Sequence, residues 1–258
     1  MKKNSPKYFF LLIFVMLIGS VNLFAQAQTE KVMKQAVEFY KAKKYEQAEK
    51  IYLDLVKEGY QGTSLYYNLG NTYFRDGKLG YAILYYNKAL KLSPGDEDIQ
   101  HNLDIANART VDKIDVLPEF FLFQWWGTIL SLFNLTGWTY ITYIFFLLLL
   151  ICIALYFLIK KQKIQRTSFF TGIVVLVFLI FSIVFTVVKL NRELNVKNGI
   201  VVTDIVTVKL SPDENSNDAF VIHEGLKVQL EDKVDNWVKI RLHDGKVGWV
   251  TEKNIGVI

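Results

Sequence analysis

The residues best suited to catalysis or metal binding are few in this chain. It has three histidines, His101, His223 and His243, and one cysteine, Cys152. The histidines lie far apart without a recognisable nucleophile beside them, and one cysteine cannot form an intramolecular disulfide or a four-cysteine zinc site. Glycine-rich phosphate loops, His-Glu-x-x-His zinc motifs and Gly-x-Ser-x-Gly elbows do not occur in the sequence. The sequence therefore predicts a non-catalytic protein with no catalytic residues, metal site or cofactor.

Charge is unevenly distributed along the chain. The net charge of +5 comes from 30 basic and 25 acidic residues, yet residues 28–117 hold 13 of each. The basic excess lies in residues 1–27 and beside the long apolar segments. Because no soluble part presents a basic face, nucleic acid is not expected as a partner.

The elements that could position binding residues begin with a repeat of 34 residues, in copies at about 29–62 and 63–96. Small residues would let the two helices of each copy approach closely, and aromatic residues would fill the space beside them. The signature positions are Tyr66, Leu69, Gly70, Tyr73, Gly77, Ala82, Tyr86, Ala89 and Pro94 in the second copy, and Ala36, Phe39, Ala48, Tyr52 and Leu55 in the first. The first copy has Lys43 in place of the turn glycine and Tyr60 in place of the terminal proline.

This pattern resembles the tetratricopeptide repeat, which implies α-helical hairpins over residues 28–112 with a capping helix at 96–109. In such stacks the first helix of each repeat lines a concave surface. The resemblance places a peptide-binding groove at Lys34, Tyr40, Tyr67, Asn68, Asn71, Phe74 and Arg75, together with Val37 and Lys41. Asn68 and Asn71 carry both donor and acceptor groups, which suits an extended peptide backbone. The alternative is that these are merely solvated polar positions.

Three apolar segments predict export and membrane anchoring. Residues 1–27 have the basic start, short apolar core and Ala25-Gln26-Ala27 ending of a signal peptide, although an uncleaved anchor is the alternative. Residues 138–159 and 169–188 are long enough to be transmembrane helices. The loop between them, residues 160–168, holds four cations and no anion, which predicts a cytoplasmic position.

This topology places both flanking domains on the periplasmic side of the cytoplasmic (inner) membrane. Residues 118–137 are interpreted as an amphipathic helix on the membrane surface. A further span is the competing interpretation, and it would put the two flanking domains on opposite sides.

Residues 199–258 read as short strands separated by turns, at 200–202, 206–208, 220–222, 227–230, 237–240 and 248–250. The pattern resembles the bacterial SH3 fold, which implies a small all-β barrel. Trp237 and Trp249 are either packing residues or a stacking platform for a peptide or glycan. Members of that family bind cell-wall peptides or protein segments, and the sequence does not choose between them.

The order of segments, from leader through repeats and two spans to the SH3-like domain, resembles the BatE family of the Bacteroides aerotolerance (Bat) group. That resemblance implies membrane partners with von Willebrand factor A domains and an associated MoxR-type ATPase. The expected function is a membrane-anchored scaffold that assembles such partners at the periplasmic face, in an aerotolerance or envelope-stress complex. The alternative is an anchor or sensor that binds peptidoglycan through the SH3-like domain.

Overall fold

The computed structural model describes residues 28–113, 120–195 and 197–258. The predicted signal peptide, residues 1–27, lies outside the described residues. The described chain forms helical repeats, an apolar helical hairpin and a β-sheet, in that order.

Five helices form the repeat region, and they lie where the 34-residue period predicts them. They are α1 (28–41), α2 (Tyr45–Lys57), α3 (Thr63–Asp76), α4 (Leu79–Leu92) and α5 (Glu97–Ala108). Gly77, at φ +83°, ends α3 in the left-handed conformation that glycine adopts without strain. A Cβ at Gly70 would lie 2.7 Å from the Tyr86 ring, so this glycine allows α3 and α4 to pack closely. The predicted hairpin of the second copy is therefore confirmed.

Buried aromatic and small residues hold these helices together. Ala48, Tyr52 and Leu55 recur on one face of α2, at the spacing of an amphipathic helix. Tyr86 is 1% exposed and lies at the centre of the same core. Burial of side chains of this size contributes roughly 1.5–3 kcal/mol each, which makes this core the main source of stability in the repeats.

Three further helices follow: α6 (Phe121–Ser131), α7 (Leu135–Leu158) and α8 (Gln162–Asn195). α7 and α8 are antiparallel, because Trp138 stacks on Phe185 at 4.6 Å at one end and Tyr156 lies beside Phe169 at the other. Both are long and apolar enough to cross a membrane, and most of their side chains are exposed. The predicted spans 138–159 and 169–188 thus fall in one helical hairpin.

The connection between α7 and α8 is shorter than the predicted loop 160–168. α8 begins at Gln162, so Lys163 and Arg166 lie in its first turns. Lysine, arginine and glutamine are good helix formers, which lets the helix extend beyond its apolar part. α6 has only 11 residues, about 16 Å of helix, so it is too short to cross a membrane alone.

Seven strands form the C-terminal part, and all paired neighbours are antiparallel. They are β1 (Lys197–Val201), β2 (Ile205–Lys209), β3 (Asp218–His223), β4 (Lys227–Val234), β5 (Trp237–Arg241), β6 (Val247–Thr251) and β7 (Ile255–Val257), in the order β3-β2-β6-β5-β4-β1-β7. Six of them coincide with strands marked in the sequence, and β7 is additional. The sheet does not close into the predicted barrel, because β3 and β7 are its two edges and do not pair.

The β7 edge of the sheet is covered by helix α4 of the repeat region. α4 packs against β1 and β7, and Leu84 of α4 contacts Gly256 of β7. Ile200 and Val202 of the sheet are buried in the same cluster as the repeat core. The sequence predicted 28–112 and 199–258 as separate domains; the structure joins them through a shared apolar interface.

Several polar contacts cross this interface, and two carboxylates, those of Glu224 and Asp112, take part in them. The N–H of Gly80, in the first turn of α4, donates to Glu224 Oε2 at 2.8 Å. Lys78, the N-cap residue of α4, provides no side-chain cap, so the Glu224 carboxylate satisfies an otherwise free helix donor. Asp112 accepts from the backbone N–H of His223 at 2.7 Å and contacts its ring Nδ1 at 2.9 Å. These contacts hold α4 and the segment after α5 against the sheet.

Candidate partner-binding site

The residues predicted to form the groove lie on α1 and α3, and a side chain of α5 contacts them. Arg75 of α3 is hydrogen-bonded to Tyr40 of α1, and this bond raises the pKa of Arg75. On the other side of α3, the Asn102 side chain of α5 donates to the Tyr67 hydroxyl at 2.6 Å. Side chains of α3 therefore contact side chains of α1 on one side and of α5 on the other.

The two asparagines predicted to bind a peptide differ in their surroundings. Asn71 Oδ1 accepts from the Tyr86 hydroxyl at 2.7 Å and from Asn102 Nδ2 at 3.2 Å. Burial raises the pKa of Tyr86, so this hydroxyl stays protonated and available as a donor. Asn71 thus ties α3 to α4 and α5, and its side-chain oxygen is engaged within the fold.

Asn68 is half-buried and more available. Its backbone carbonyl accepts from Thr72 Oγ1 at 2.7 Å, as expected within a helix. Within the described residues, no hydrogen bond engages its side-chain amide. A partner segment could therefore pair with this amide without breaking a contact in the fold.

Two residues that the sequence interpretation missed complete this surface. Asn102 lies 34 positions after Asn68 and 68 after Lys34, while Arg109 lies 34 after Arg75 and 68 after Lys41. Extending the repeat period into the capping helix would have identified both residues. α5 thus continues the first-helix surface.

Three exposed cations occupy equivalent repeat positions, 34 residues apart, at the C-terminal ends of α1, α3 and α5. We call them the basic row: Lys41, Arg75 and Arg109. The Arg109 guanidinium lies over the Phe74 ring at 4.4 Å, a cation–π contact. Lys41 is bridged to Glu38 at 3.0 Å, within its own helix. For the two arginines, no ion pair with a described carboxylate is present. Lys34 lies apart from this row and is paired with Glu30 at 2.7 Å.

The second predicted surface, Trp237 and Trp249, lies on the sheet. Trp237 is opposite Thr251, and Trp249 is opposite Lys239, in the adjacent strands β5 and β6. Because alternate residues of a strand point to opposite faces, both rings lie on the face away from the buried Val238 and Val250. The tryptophans are half-buried diagonal neighbours outside the sheet core.

A metal site was not expected, and within the described ranges no three histidine, cysteine, aspartate or glutamate side chains are grouped for metal binding. No curated protein matches this chain. Residues 64–96, which comprise nearly all of α3 and α4 with the following turn, match the family model of the tetratricopeptide repeat, so the second copy is a repeat of that family.

Proposed function

We propose that this chain is a non-catalytic scaffold, anchored in a membrane by α7 and α8, that holds an extended acidic segment of a partner protein across α1, α3 and α5. Tetratricopeptide repeats serve protein–protein interaction, which supports the general role. The observation that carries the finer proposal is the basic row. Its two arginines form no ion pair with a carboxylate in the described structure, so an acidic segment of another protein could supply those carboxylates.

The spacing of the basic row suits an extended chain. Helices whose side chains touch lie about 10 Å apart. Three residues of an extended segment in the polyproline II conformation cover about the same distance, and residues three apart then lie on the same side of the segment. A segment with an acidic residue at every third position would therefore meet Lys41, Arg75 and Arg109 in turn, while the Asn68 amide pairs with its backbone.

The membrane anchor is supported by the exposure of the hairpin. A buried helix pair of a soluble protein would hide most of its surface. In the 18-residue apolar stretch of each helix, by contrast, only 6% is buried in α7 and 17% in α8. Tyr140 and Tyr143 are exposed near the start of α7, where aromatic rings favour a membrane interface. We place α6 on the same membrane surface, with Trp125 at headgroup depth.

The side of the membrane follows from charge. The cations at the α7–α8 connection favour the cytoplasm, so the opposite end of the hairpin, with the repeats and the sheet, is periplasmic in this proposal. The partners that the BatE resemblance implies are membrane proteins with von Willebrand factor A domains and an associated MoxR-type ATPase. Aerotolerance and envelope stress remain the proposed setting for such a complex.

Affinity capture of the tagged full chain from detergent-solubilised membranes tests the scaffold. Arg75→Gln with Arg109→Gln removes two charges from the basic row; Lys31→Gln with Lys50→Gln removes two exposed charges elsewhere and is the control. We expect discrete membrane proteins to be recovered with wild type and control, and to be lost with the arginine variant. Equal recovery with all three proteins would exclude the basic row from partner binding.

A second experiment separates the amide contact from charge. Asn68→Ala removes the available amide, and Gln47→Ala removes an exposed amide of α2 as the matched control. We expect weaker partner recovery only with Asn68→Ala, and added salt should weaken the wild-type complex further. Unchanged recovery with Asn68→Ala would remove this residue from the proposed contact.

A second function is favoured by the tryptophan pair. Two half-buried indoles on one outer face can stack a glycan or peptide, so an SH3-like role in peptidoglycan binding is the alternative. The test is co-sedimentation of the detergent-solubilised full chain with purified sacculi, because Ile200 and Val202 pack into the repeats and make an isolated sheet unsuitable. Trp249→Ala should abolish sedimentation and Trp125→Ala should not; no sedimentation of wild type would reject this function.

A further inference from the structure

A cleft of about 370 Å³ lies where the end of α4 meets the start of α7. We call it the α4–α7 cleft, and neither proposed function uses it. Its lining includes Tyr66, Lys88, Lys91, Asn134, Leu135 and Thr136. Asn134 joins the two helices, because its Nδ2 donates to the Leu92 carbonyl at 2.7 Å and its Oδ1 accepts from the Gly137 N–H at 2.7 Å.

The charge of this cleft is positive. Lys88 and Lys91 are one helical turn apart on α4, and no aspartate or glutamate lines the cleft among the described residues. Lys91 donates to the backbone carbonyl of Ile258 at 3.2 Å. Lys88 lies 5.5 Å from the Tyr85 ring and forms no ion pair within the described chain. Lys91 already has an oxygen partner in Ile258, so Lys88 is the cation whose charge no acidic side chain of the described lining offsets, which favours an anionic ligand.

Lys88 carries the clearest sign of an unmet charge. It is half-buried, and burial lowers its pKa, as does repulsion from Lys91. An anion bound beside Lys88 would offset both effects. The N-terminus of α7 attracts an anion more weakly through the helix dipole, and no acidic residue in its first turn offsets this attraction.

The position of the cleft selects the source of the anion. Leu135 and Thr136 are the first residues of an apolar helix of 24 residues, and Trp138 follows them within one turn. If α7 crosses a membrane, as proposed above, this end of the helix lies at the level of lipid phosphates. A phosphate in the cleft would then belong to a lipid whose acyl chains lie beside α7.

We infer that the α4–α7 cleft binds the phosphate headgroup of an anionic phospholipid through Lys88 and Lys91. The lipid would join the repeat region to the membrane surface, because Lys88 and Lys91 belong to α4 while Asn134 begins α7. This inference rests on the membrane anchoring part of the proposed function.

Native mass spectrometry of the full chain in detergent, with added phosphatidylglycerol, tests the assignment. Lys88→Gln with Lys91→Gln is compared with Lys31→Gln with Lys50→Gln, which removes the same charge outside the cleft. Charged hydrogen bonds of this kind correspond to about tenfold or more in affinity, so we expect that loss in the cleft variant alone. Phosphatidylcholine, which carries no net charge, should bind weakly to every form.

Three results would overturn the inference: equal phosphatidylglycerol binding by all forms, an equal loss in both lysine variants, or lysine-dependent binding of inorganic phosphate without lipid binding. Extraction of membranes with alkaline carbonate is run in parallel. Wild type and both variants should resist extraction, since α7 and α8 are unchanged. Release of all three would refute the membrane anchor itself, which separates that failure from failure of the lipid site.

Discussion

Gly80→Ala tests the docking of α4 on the sheet. A Cβ at this position would lie 2.6 Å from the carbonyl oxygen of Val201 and 2.9 Å from the Cα of Val202. Both are backbone atoms, so neither can rotate away as a side-chain end could. α4 would have to move from the sheet by several tenths of an ångström, and the hydrogen bond from the Gly80 N–H to Glu224 would lengthen with it.

The magnitude follows from two opposing effects. Overpacking at a close contact costs about 1–3 kcal/mol. Alanine in a helix is better than glycine by up to about 1 kcal/mol. We therefore expect the full chain to lose up to about 2 kcal/mol of unfolding free energy, whereas a fragment of residues 28–113, which lacks the sheet, should gain up to about 1 kcal/mol. The same substitution thus changes sign with the presence of the sheet.

Thermal unfolding followed by circular dichroism measures both effects. A change of 1 kcal/mol corresponds to about 2–4 °C for a chain of this size. Gly127→Ala is the control, because Gly127 lies within α6 and a Cβ there meets no atom within 4 Å. Stabilisation of the full chain by Gly80→Ala would refute the docking of α4 against β1.

Two further substitution tests and one titration follow from the buried polar groups. Asn71→Ala should lower the free energy of unfolding by about 1–3 kcal/mol, because the buried Tyr86 phenol loses its acceptor, whereas Asn68→Ala should leave it unchanged. Denaturant unfolding measures both variants, and equal losses would contradict the different roles of the two asparagines. Asp112→Asn keeps an acceptor for the backbone N–H of His223 but removes the charge, so a loss of about 1 kcal/mol is expected in the full chain and none in a chain without the sheet, measured in the same way. Burial raises the pKa of Tyr52 from 10.0 to about 12, so this phenol ionises in the unfolded chain before it does in the folded chain. Its contribution to the free energy of unfolding is therefore complete below pH 10.0 and is lost as the pH rises to about 12. The difference in phenolate absorbance between wild type and Tyr52→Phe should show no ionisation near pH 10.0.

The repeat hairpins could be predicted because their signals are local. Gly70 and Tyr86 occupy complementary small and large positions at a fixed spacing, and Gly77 marks the turn that only a left-handed residue fits. Alternation of apolar residues, as in Val238 and Ile240, likewise identifies a strand without knowledge of its partners. Each of these signals lies within about one element of its effect.

The docking of α4 could not be predicted in the same way, because it joins residues about 120 to 175 positions apart. One signal was available in the sequence: the apolar residues Ile83 and Leu84 stand beside the repeat residues Ala82 and Tyr86, so α4 is apolar around most of its circumference. A helix that is apolar on all sides is covered on all sides. The sequence thus shows that α4 needs a second neighbour, but the identity of that neighbour depends on the three-dimensional fold.

The same limit applied to the candidate site. Asn68 and Asn71 look alike in sequence, and only the positions of Tyr86 and Asn102 distinguish an available amide from an engaged one. Asn102 itself was missed because the capping helix was read by its apolar positions alone. The 34-residue period, continued by one step, assigns it to the same surface as Asn68.

The docked interface also makes the membrane topology testable, because it requires the repeats and the sheet to lie on one side of the hairpin. Three single cysteines report the topology when Cys152 is replaced by serine: Lys50→Cys in the repeats, Lys246→Cys in the sheet and Lys161→Cys at the α7–α8 connection. A membrane-impermeant maleimide applied to cells with a permeabilised outer membrane should label the first two, and the third only after lysis.

The possible failures of this labelling test differ in meaning. Labelling of the α7–α8 connection alone would reverse the proposed orientation and leave the docking of α4 intact, since the repeats and sheet would still be protected together. Labelling of only one of the two domains would place them on opposite sides. That result would contradict the contact of Gly80 with Glu224. It would also mean that the membrane anchor has a further span besides α7 and α8.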